Sequence, residues 1–166
     1  FVESFEQNNL NCWEHEYGIF VSNKWTVTDS AYENGAIASA ASGSKWAFIH
    51  SDWTNGTQIT KLVTPPLNLV NISQAKLKFH YAQKAKSNKQ DNLKVYYKTS
   101  SNSSWVLLNS YTSNKSTWTE VVIDLPNTSE NYFIAFEANL KGGYGICLDG
   151  LEIYEADASA FPVVNT

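Results

Sequence analysis

Polar and apolar residues alternate with a period of two along most of the chain, and no segment sustains the 3.6-residue period of a helix. The alternation predicts strands. Lys76 to Ala82 places Leu77, Phe79 and Tyr81 on one face and Lys76, Lys78 and His80 on the other. Asn92 to Thr99 repeats the device with Leu93, Val95 and Tyr97 facing inward. The runs 105–108, 118–125, 131–138 and 145–154 supply four more strands, separated by turn-forming clusters at 100–104, 113–116, 126–129 and 141–143. Upstream, residues 25–28, 45–49 and 59–64 read as strands, and Pro65-Pro66 ends the last because proline cannot donate to a ladder. Phe1 to Glu6 reads as a short first strand. Lys84 to Asp91 is expected to be a polar hairpin loop, and Trp13-Glu-His-Glu16 a polar loop.

About ten such strands, each with one apolar face, bury those faces most economically in two packed antiparallel sheets. The expected fold class is therefore all-β, a two-sheet antiparallel β-sandwich. A first strand lying beside the last would give it jelly-roll character. One domain over residues 1–155 accounts for the length, since a chain of 166 residues buries roughly 70% of its unfolded surface. Residues 156–166 read as a C-terminal tail or the start of a linker.

The strand pattern is broken in one informative place. Tyr144 to Tyr154 is an apolar tract interrupted by Asp149, and the chain contains no arginine to pair with it. An ionised carboxylate against a core costs several kcal/mol unless a cation or several donors meet it. Glu6, between bulky residues at the other end of the chain, offers a second acid. If first and last strands are neighbours, Glu6 and Asp149 share one structural calcium ion, which takes six to eight oxygen ligands. The alternative is that one acid caps backbone amides while the other faces solvent.

Charge and composition narrow the partners. The net charge is −4 and the twelve basic residues are lysines scattered along the chain, which gives no basic stripe for nucleic acid or acidic lipid. No apolar run approaches the roughly 20 residues of a membrane span. The chain begins at Phe1 and has no methionine, as expected of a mature or excised segment of a larger parent chain. Its 14% aromatic content, with abundant Asn, Ser and Thr, matches extracellular, secreted or surface β-proteins. Cys12 and Cys147 could bridge in an oxidising compartment, although a register with Glu6 opposite Asp149 sets Cys147 against residue 8 rather than 12. The sequons at Asn55, Asn71, Asn102, Asn114 and Asn127 carry no weight in so Asn- and Ser-rich a chain.

Candidate chemistry is sparse. His15, His50 and His80 are dispersed and belong to no zinc-protease or nucleophile-elbow motif. An enzyme is the weakest expectation. Trp25, Trp46 and Trp118 occupy strand positions that suit burial, whereas Trp13, Trp53 and Trp105 lie beside loops. Flat aromatics with polar neighbours suit the apolar faces of sugar rings, and Asp52-Trp53-Thr-Asn55 has that composition. The polar face bearing Lys78, His80, Lys94, Tyr96 and Lys98 is a second platform. Trp53, Tyr96, His80 and Trp105 are thus the candidate ligand-binding residues, set against an ordinary solvated surface.

From Glu3 to Tyr154 the chain also resembles two related groups of extracellular domains. The residues carrying the resemblance are Glu3-Ser-Phe-Glu6, Ser42-Gly-Ser-Lys-Trp46, Lys61-Leu-Val-Thr-Pro-Pro-Leu-Asn-Leu69, Leu77-Lys-Phe-His-Tyr81, Asn92-Leu-Lys-Val-Tyr96, and the stretches 118–125, 132–137 and 145–151. The groups are the cleaved-adhesin domain, of choice-of-anchor J type, and the MAM domain. Leu62-Val-Thr-Pro-Pro-Leu67 favours the adhesin group, as does Ser4, where a MAM domain usually carries a cysteine that pairs near Cys12. The resemblance implies a jelly roll with structural calcium and a role in adhesion or substrate targeting. It implies Glu6 and Asp149 as ligand positions, with His50 to Asp52 adding carbonyl or side-chain oxygens. Gly150 departs from the pattern, in which a second acid is frequent. The expected function is a non-catalytic extracellular adhesion or ligand-binding module meeting a protein or glycan. The competing class is a carbohydrate-binding module that delivers an appended glycoside hydrolase or peptidase.

Overall fold

The alternating runs pair into eleven antiparallel strands in a computed structural model, which describes residues 1–18, 23–30, 37–51 and 56–156. They are β1 (Val2–Glu3), β2 (Glu14–Tyr17), β3 (Thr26–Thr28), β4 (Trp46–Ile49), β5 (Gln58–Val63), β6 (Ala75–Gln83), β7 (Asn92–Lys98), β8 (Val106–Tyr111), β9 (Lys115–Asp124), β10 (Phe133–Leu140) and β11 (Ile146–Glu155). Sheet A has the order β3-β4-β11-β6-β9, with β1 added to β11, and sheet B the order β2-β5-β10-β7-β8. The two-sheet antiparallel jelly-roll sandwich expected from the period-two pattern is the observed fold. Its core packs Leu77, Phe79 and Tyr81 of β6 and Ile146, Leu148, Leu151 and Ile153 of β11 against Leu93, Val95, Ile134 and Phe136 of sheet B. Phe79 meets Phe136 edge to face across the layers, ring centroids 5.3 Å apart, a favoured aromatic geometry.

Several local expectations change. Lys84 to Asp91 is not a hairpin loop, because β6 and β7 lie in different sheets and the segment crosses between them. Trp13 to Glu16 is not a polar loop: Glu14 to Tyr17 form β2 on β5, and Trp13 is buried against Phe5. Trp25 and Trp46 are buried, whereas Trp118 is only partly so. First and last strands are neighbours, but β1 stops at Glu3 with Val2 opposite Glu152. The chain turns away at Phe5, whose φ is 59°, so Glu6 never stands opposite Asp149; His80 does. Cys12 is exposed and Cys147 buried, both as free thiols. Cys147 lies opposite Phe48 and Ala82, within sheet A.

One irregularity positions the acid. Inward residues of β11 are Ile146 and Leu148 before Asp149, and Leu151 and Ile153 after it. Even positions thus give way to odd ones, which requires an extra residue, and the register against β6 shifts between Asp149 and Glu152. Gly150 supplies the bulge with φ of 57°, the left-handed region that glycine enters at least cost. The bulge leaves Asp149 on the outer face of sheet A beside Cys147 rather than in the core.

Candidate functional site

Asp149 is fully buried although it points outward, because residues 37–45 fold over that face. Ile37 and Ala40 pack on Trp46, Phe48, Ala82, Cys147 and Trp118 as a small second core. The Trp118 indole N–H donates to the Ser39 carbonyl at 3.0 Å. Two carboxylates hold the rest of the flap. Asp149 Oδ2 accepts the N–H groups of Ala41 and Ser42 at 2.9 and 3.0 Å, and its Oδ1 accepts that of Gly150 at 2.7 Å. Glu6 Oε1 accepts the N–H groups of Ser44 and Lys45, both at 2.9 Å, and its Oε2 accepts the Ser44 hydroxyl at 2.8 Å. The two acids therefore grip consecutive stretches of one loop, and neither simply faces solvent.

Their environments pull in opposite directions. Burial pushes the Asp149 carboxyl above its ordinary value, against the pull of its three amides, and the charge of Glu6 adds to the rise. The Ser44 and Lys45 amides, followed by the Ser44 hydroxyl, hold Glu6 below its ordinary value. A carboxylate offers about four lone-pair positions, and each of these two accepts three donors. Roughly one position stays open on each, so the pair could supply two of the six to eight oxygen ligands that calcium takes. Among the described residues no group of three or more His, Cys, Asp or Glu side chains gathers to hold a metal. Any further ligands would be carbonyls or water. His50 is not brought to this site: β4 runs past β11 with Ile49 opposite Ile146, which sets His50 about four residues, roughly 13 Å, along the sheet from Asp149. Its carbonyl accepts the Asn23 side chain. Asp52 and Trp53 lie outside the described residues.

The expected ligand platform divides. Lys78 and His80 project from β6 on the outer face of sheet A, where they meet Glu152 and Glu120. Lys94, Tyr96 and Lys98 project from β7 on the outer face of sheet B, the opposite side of the sandwich. Side chains from the two edges of sheet B meet across that face, Trp105 beside one edge strand donating its indole N–H to Glu16 on the other at 2.8 Å, and across five strands about 4.8 Å apart such a contact implies that the face curls into a concavity. Lys98 completes the bridge, 3.8 Å from Glu16 and 4.5 Å from the Trp105 ring centre. Deeper in the concavity Glu137, 6% exposed, meets Lys61 at 2.9 Å and accepts from Asn139 at 2.7 Å and from the Tyr96 hydroxyl at 3.4 Å. Lys61 also lies over the Tyr96 ring. Tyr96 and Trp105 thus share a face, but their donors are spent and lysine ammonium groups stand over their rings.

Two buried acids escaped the sequence reading. Glu137 interrupts an apolar strand as Asp149 does, and the same signal would have found it. Asp91 left no such trace, because it precedes its strand. It is fully buried and accepts the Ser51 hydroxyl at 2.8 Å and the N–H groups of Lys141, Gly143 and Gly145 at 2.7, 3.1 and 2.9 Å. Gly143 is needed there, since a Cβ at this position would run into the Asp91 carboxylate.

The model of the MAM domain family (meprin/A5/mu) matches residues 4–158. No curated protein matches the chain in sequence. Among solved structures, the K1 cleaved adhesin domain of Lys-gingipain from Porphyromonas gingivalis W83 superposes with a TM-score of 0.73 at 20% identity, covering 95% of this chain and 98% of that one. The K3 cleaved adhesin domain of the same protein gives 0.69 at 19% identity over 94% and 98% of the two chains. TmCBM61, solved in complex with beta-1,4-galactotriose, gives 0.65 at 10% identity over 92% and 94%.

Proposed function

The chain belongs to the MAM domain family, and on that premise we propose that it is a non-catalytic extracellular adhesion or ligand-binding module of a larger secreted or cell-surface protein. The observation that carries this reading is the concave face of sheet B. It spans the sheet from Glu16 to Trp105 and presents bridged charges, Lys61, Lys94 and Lys98 against Glu16 and Glu137, rather than a catalytic constellation. Such a surface suits a polar protein partner, with Leu107, about half exposed and opposite Tyr96, at its rim. The second reading, a carbohydrate-binding module serving an appended glycoside hydrolase or peptidase, is supported by the likeness to TmCBM61 and by an open aromatic cleft elsewhere on the molecule. A glycan array run beside adhesion assays on extracellular proteins separates the two. Protein binding with no glycan binding would remove the carbohydrate reading, and hydrolysis by the isolated domain would remove both.

The proposal includes a structural calcium held through Glu6 and Asp149, joining the N-terminal turn, the 37–45 flap and the last strand. Its role is mass-action stabilisation of the folded state. Thermal unfolding of wild type and Asp149→Asn, with calcium and with a chelator, tests it. Calcium should raise the wild-type melting temperature and raise that of the variant much less. Identical wild-type melting in both conditions would exclude the ion. A full calcium effect in the variant would place it elsewhere.

A further inference from the structure

Along one side of the sandwich the edge strands β2 and β3 belong to different sheets. His15 and Tyr17 lie opposite the inward-facing Leu62 and Thr60, and with Trp25 they line a cleft of about 360 Å³ at this seam. Small-ligand pockets occupy about 300–1,000 Å³. The His15 and Tyr17 rings stack, centroids 5.8 Å apart and planes inclined by 12°. His15 is fixed by a contact of 3.2 Å from Nε2 to the Trp25 carbonyl. Tyr17 is 58% exposed, so a flat ring faces solvent at the mouth of the cleft.

Trp25 supplies the second, independent observation. It is 1% exposed, and its indole N–H is buried with no acceptor among the described residues. Buried donors are nearly always satisfied; this one is sealed from solvent, and a ligand oxygen reaches it only when the cleft wall that Trp25 helps to form shifts to admit it. The side-chain donors of Asn8 and Lys24, also on the cleft wall, are uncommitted among the described residues. We propose that this seam binds a saccharide. An apolar sugar face stacks on Tyr17, a ring or hydroxyl oxygen accepts from Trp25 Nε1, and outer hydroxyls meet Asn8 and Lys24. The proposal rests on the reading of the chain as a ligand-binding module. It differs from the concave face of sheet B in one decisive respect: there the aromatic donors are already paired and the rings already covered.

The test screens the full chain on a printed oligosaccharide array, then titrates the best array ligand calorimetrically into wild type, Tyr17→Ala, Trp25→Phe and Val122→Ala. Tyr17→Ala removes an exposed ring and should weaken binding up to roughly tenfold, as loss of one aromatic contact does, with unchanged melting temperature. Trp25→Phe should also weaken binding, and Val122→Ala, at an exposed position of β9, should leave it unchanged. Should Trp25→Phe fold poorly, the indole N–H resonance of Trp25 in wild type provides the same information, and it should move on ligand addition. Equal binding by Tyr17→Ala with an unmoved Trp25 resonance overturns the seam site while the binding-module reading stands. A wild type that binds proteins but no arrayed saccharide overturns the site and leaves adhesion. Binding of neither overturns both.

Discussion

The flap over sheet A should behave as a latch whose opening is reported by Cys147. This thiol is 4% exposed, and burial pushes its pKa up to about 12, so labelling at neutral pH requires the flap to lift. Asp149→Ala removes the acceptor of the Ala41, Ser42 and Gly150 amides. Hydrogen bonds to a charged group contribute about 1.5–3 kcal/mol each, but the freed Ala41 and Ser42 amides can reach water, and the burial penalty on the carboxylate disappears with it. The net cost is therefore about 2–3 kcal/mol. For a chain of this size that lowers the melting temperature by roughly 4–12 °C. If the loss falls on flap opening, Cys147 labelling accelerates by roughly 30- to 150-fold, at tenfold per 1.4 kcal/mol. The assay is the rate of reaction with a chromogenic disulfide in a Cys12→Ser background, because Cys12 is exposed and would react first. A variant that melts lower but labels Cys147 at the wild-type rate would show that Asp149 stabilises β11 without holding the flap. An unchanged melting temperature would refute the clamp altogether.

Asp91→Ala should cost more than Asp149→Ala, about 3–5 kcal/mol, since the hydroxyl of Ser51 and three loop amides lose their acceptor in a fully buried site; urea unfolding of the two variants compares them. Gly143→Ala should destabilise the same loop by driving a methyl group into the Asp91 carboxylate, seen as a lower melting temperature in the wild-type background and a much smaller loss in an Asp91→Ala background. His15 is held below its ordinary 6.5 by burial and then by Lys24. The fold therefore favours the neutral ring, and as pH falls below 6.5 the unfolded chain takes up a proton first. Stability should decline from pH 7.5 until the lowered folded value is passed, and His15→Gln should flatten that part of a pH series of urea midpoints.

Period-two alternation made the sandwich legible because each strand carries its own burial code: Leu77, Phe79 and Tyr81 against Lys76, Lys78 and His80 divide in the structure as they do in the sequence. What alternation does not encode is which sheet a strand joins. Lys94 and Tyr96 of β7 look equivalent to Lys78 and His80 of β6, yet the two sets lie on opposite sides of the molecule. The candidate platform was therefore a pattern shared by two strands rather than a place. Similarly, β2 hides its strand character because an edge strand of four residues, Glu14 to Tyr17, carries two carboxylates and a histidine.

Asp149 shows where the physical argument succeeded and where it was incomplete. The demand for a partner was correct, but cations are only one class of partner. Backbone amides are the other, and in a chain without arginine they are the more abundant supply. Asp149, Glu6 and Asp91 each organise a loop rather than a strand: residues 41–42, 44–45 and 141–145 all direct N–H groups at a carboxylate. Both of the loops involved contain paired or near-paired small residues, Ser42-Gly-Ser44 and Gly142-Gly143, which let the backbone approach an acid closely. A buried acid together with a distant Gly- and Ser-rich stretch is therefore a long-range contact signal in this fold. For Asp149 and Glu6 the amides leave a residual conflict, since burial and the neighbouring charge still raise the Asp149 carboxyl. A calcium ion would relieve that conflict without displacing any amide, so the loop clamp and the proposed metal are complementary rather than competing accounts of the same pair of acids.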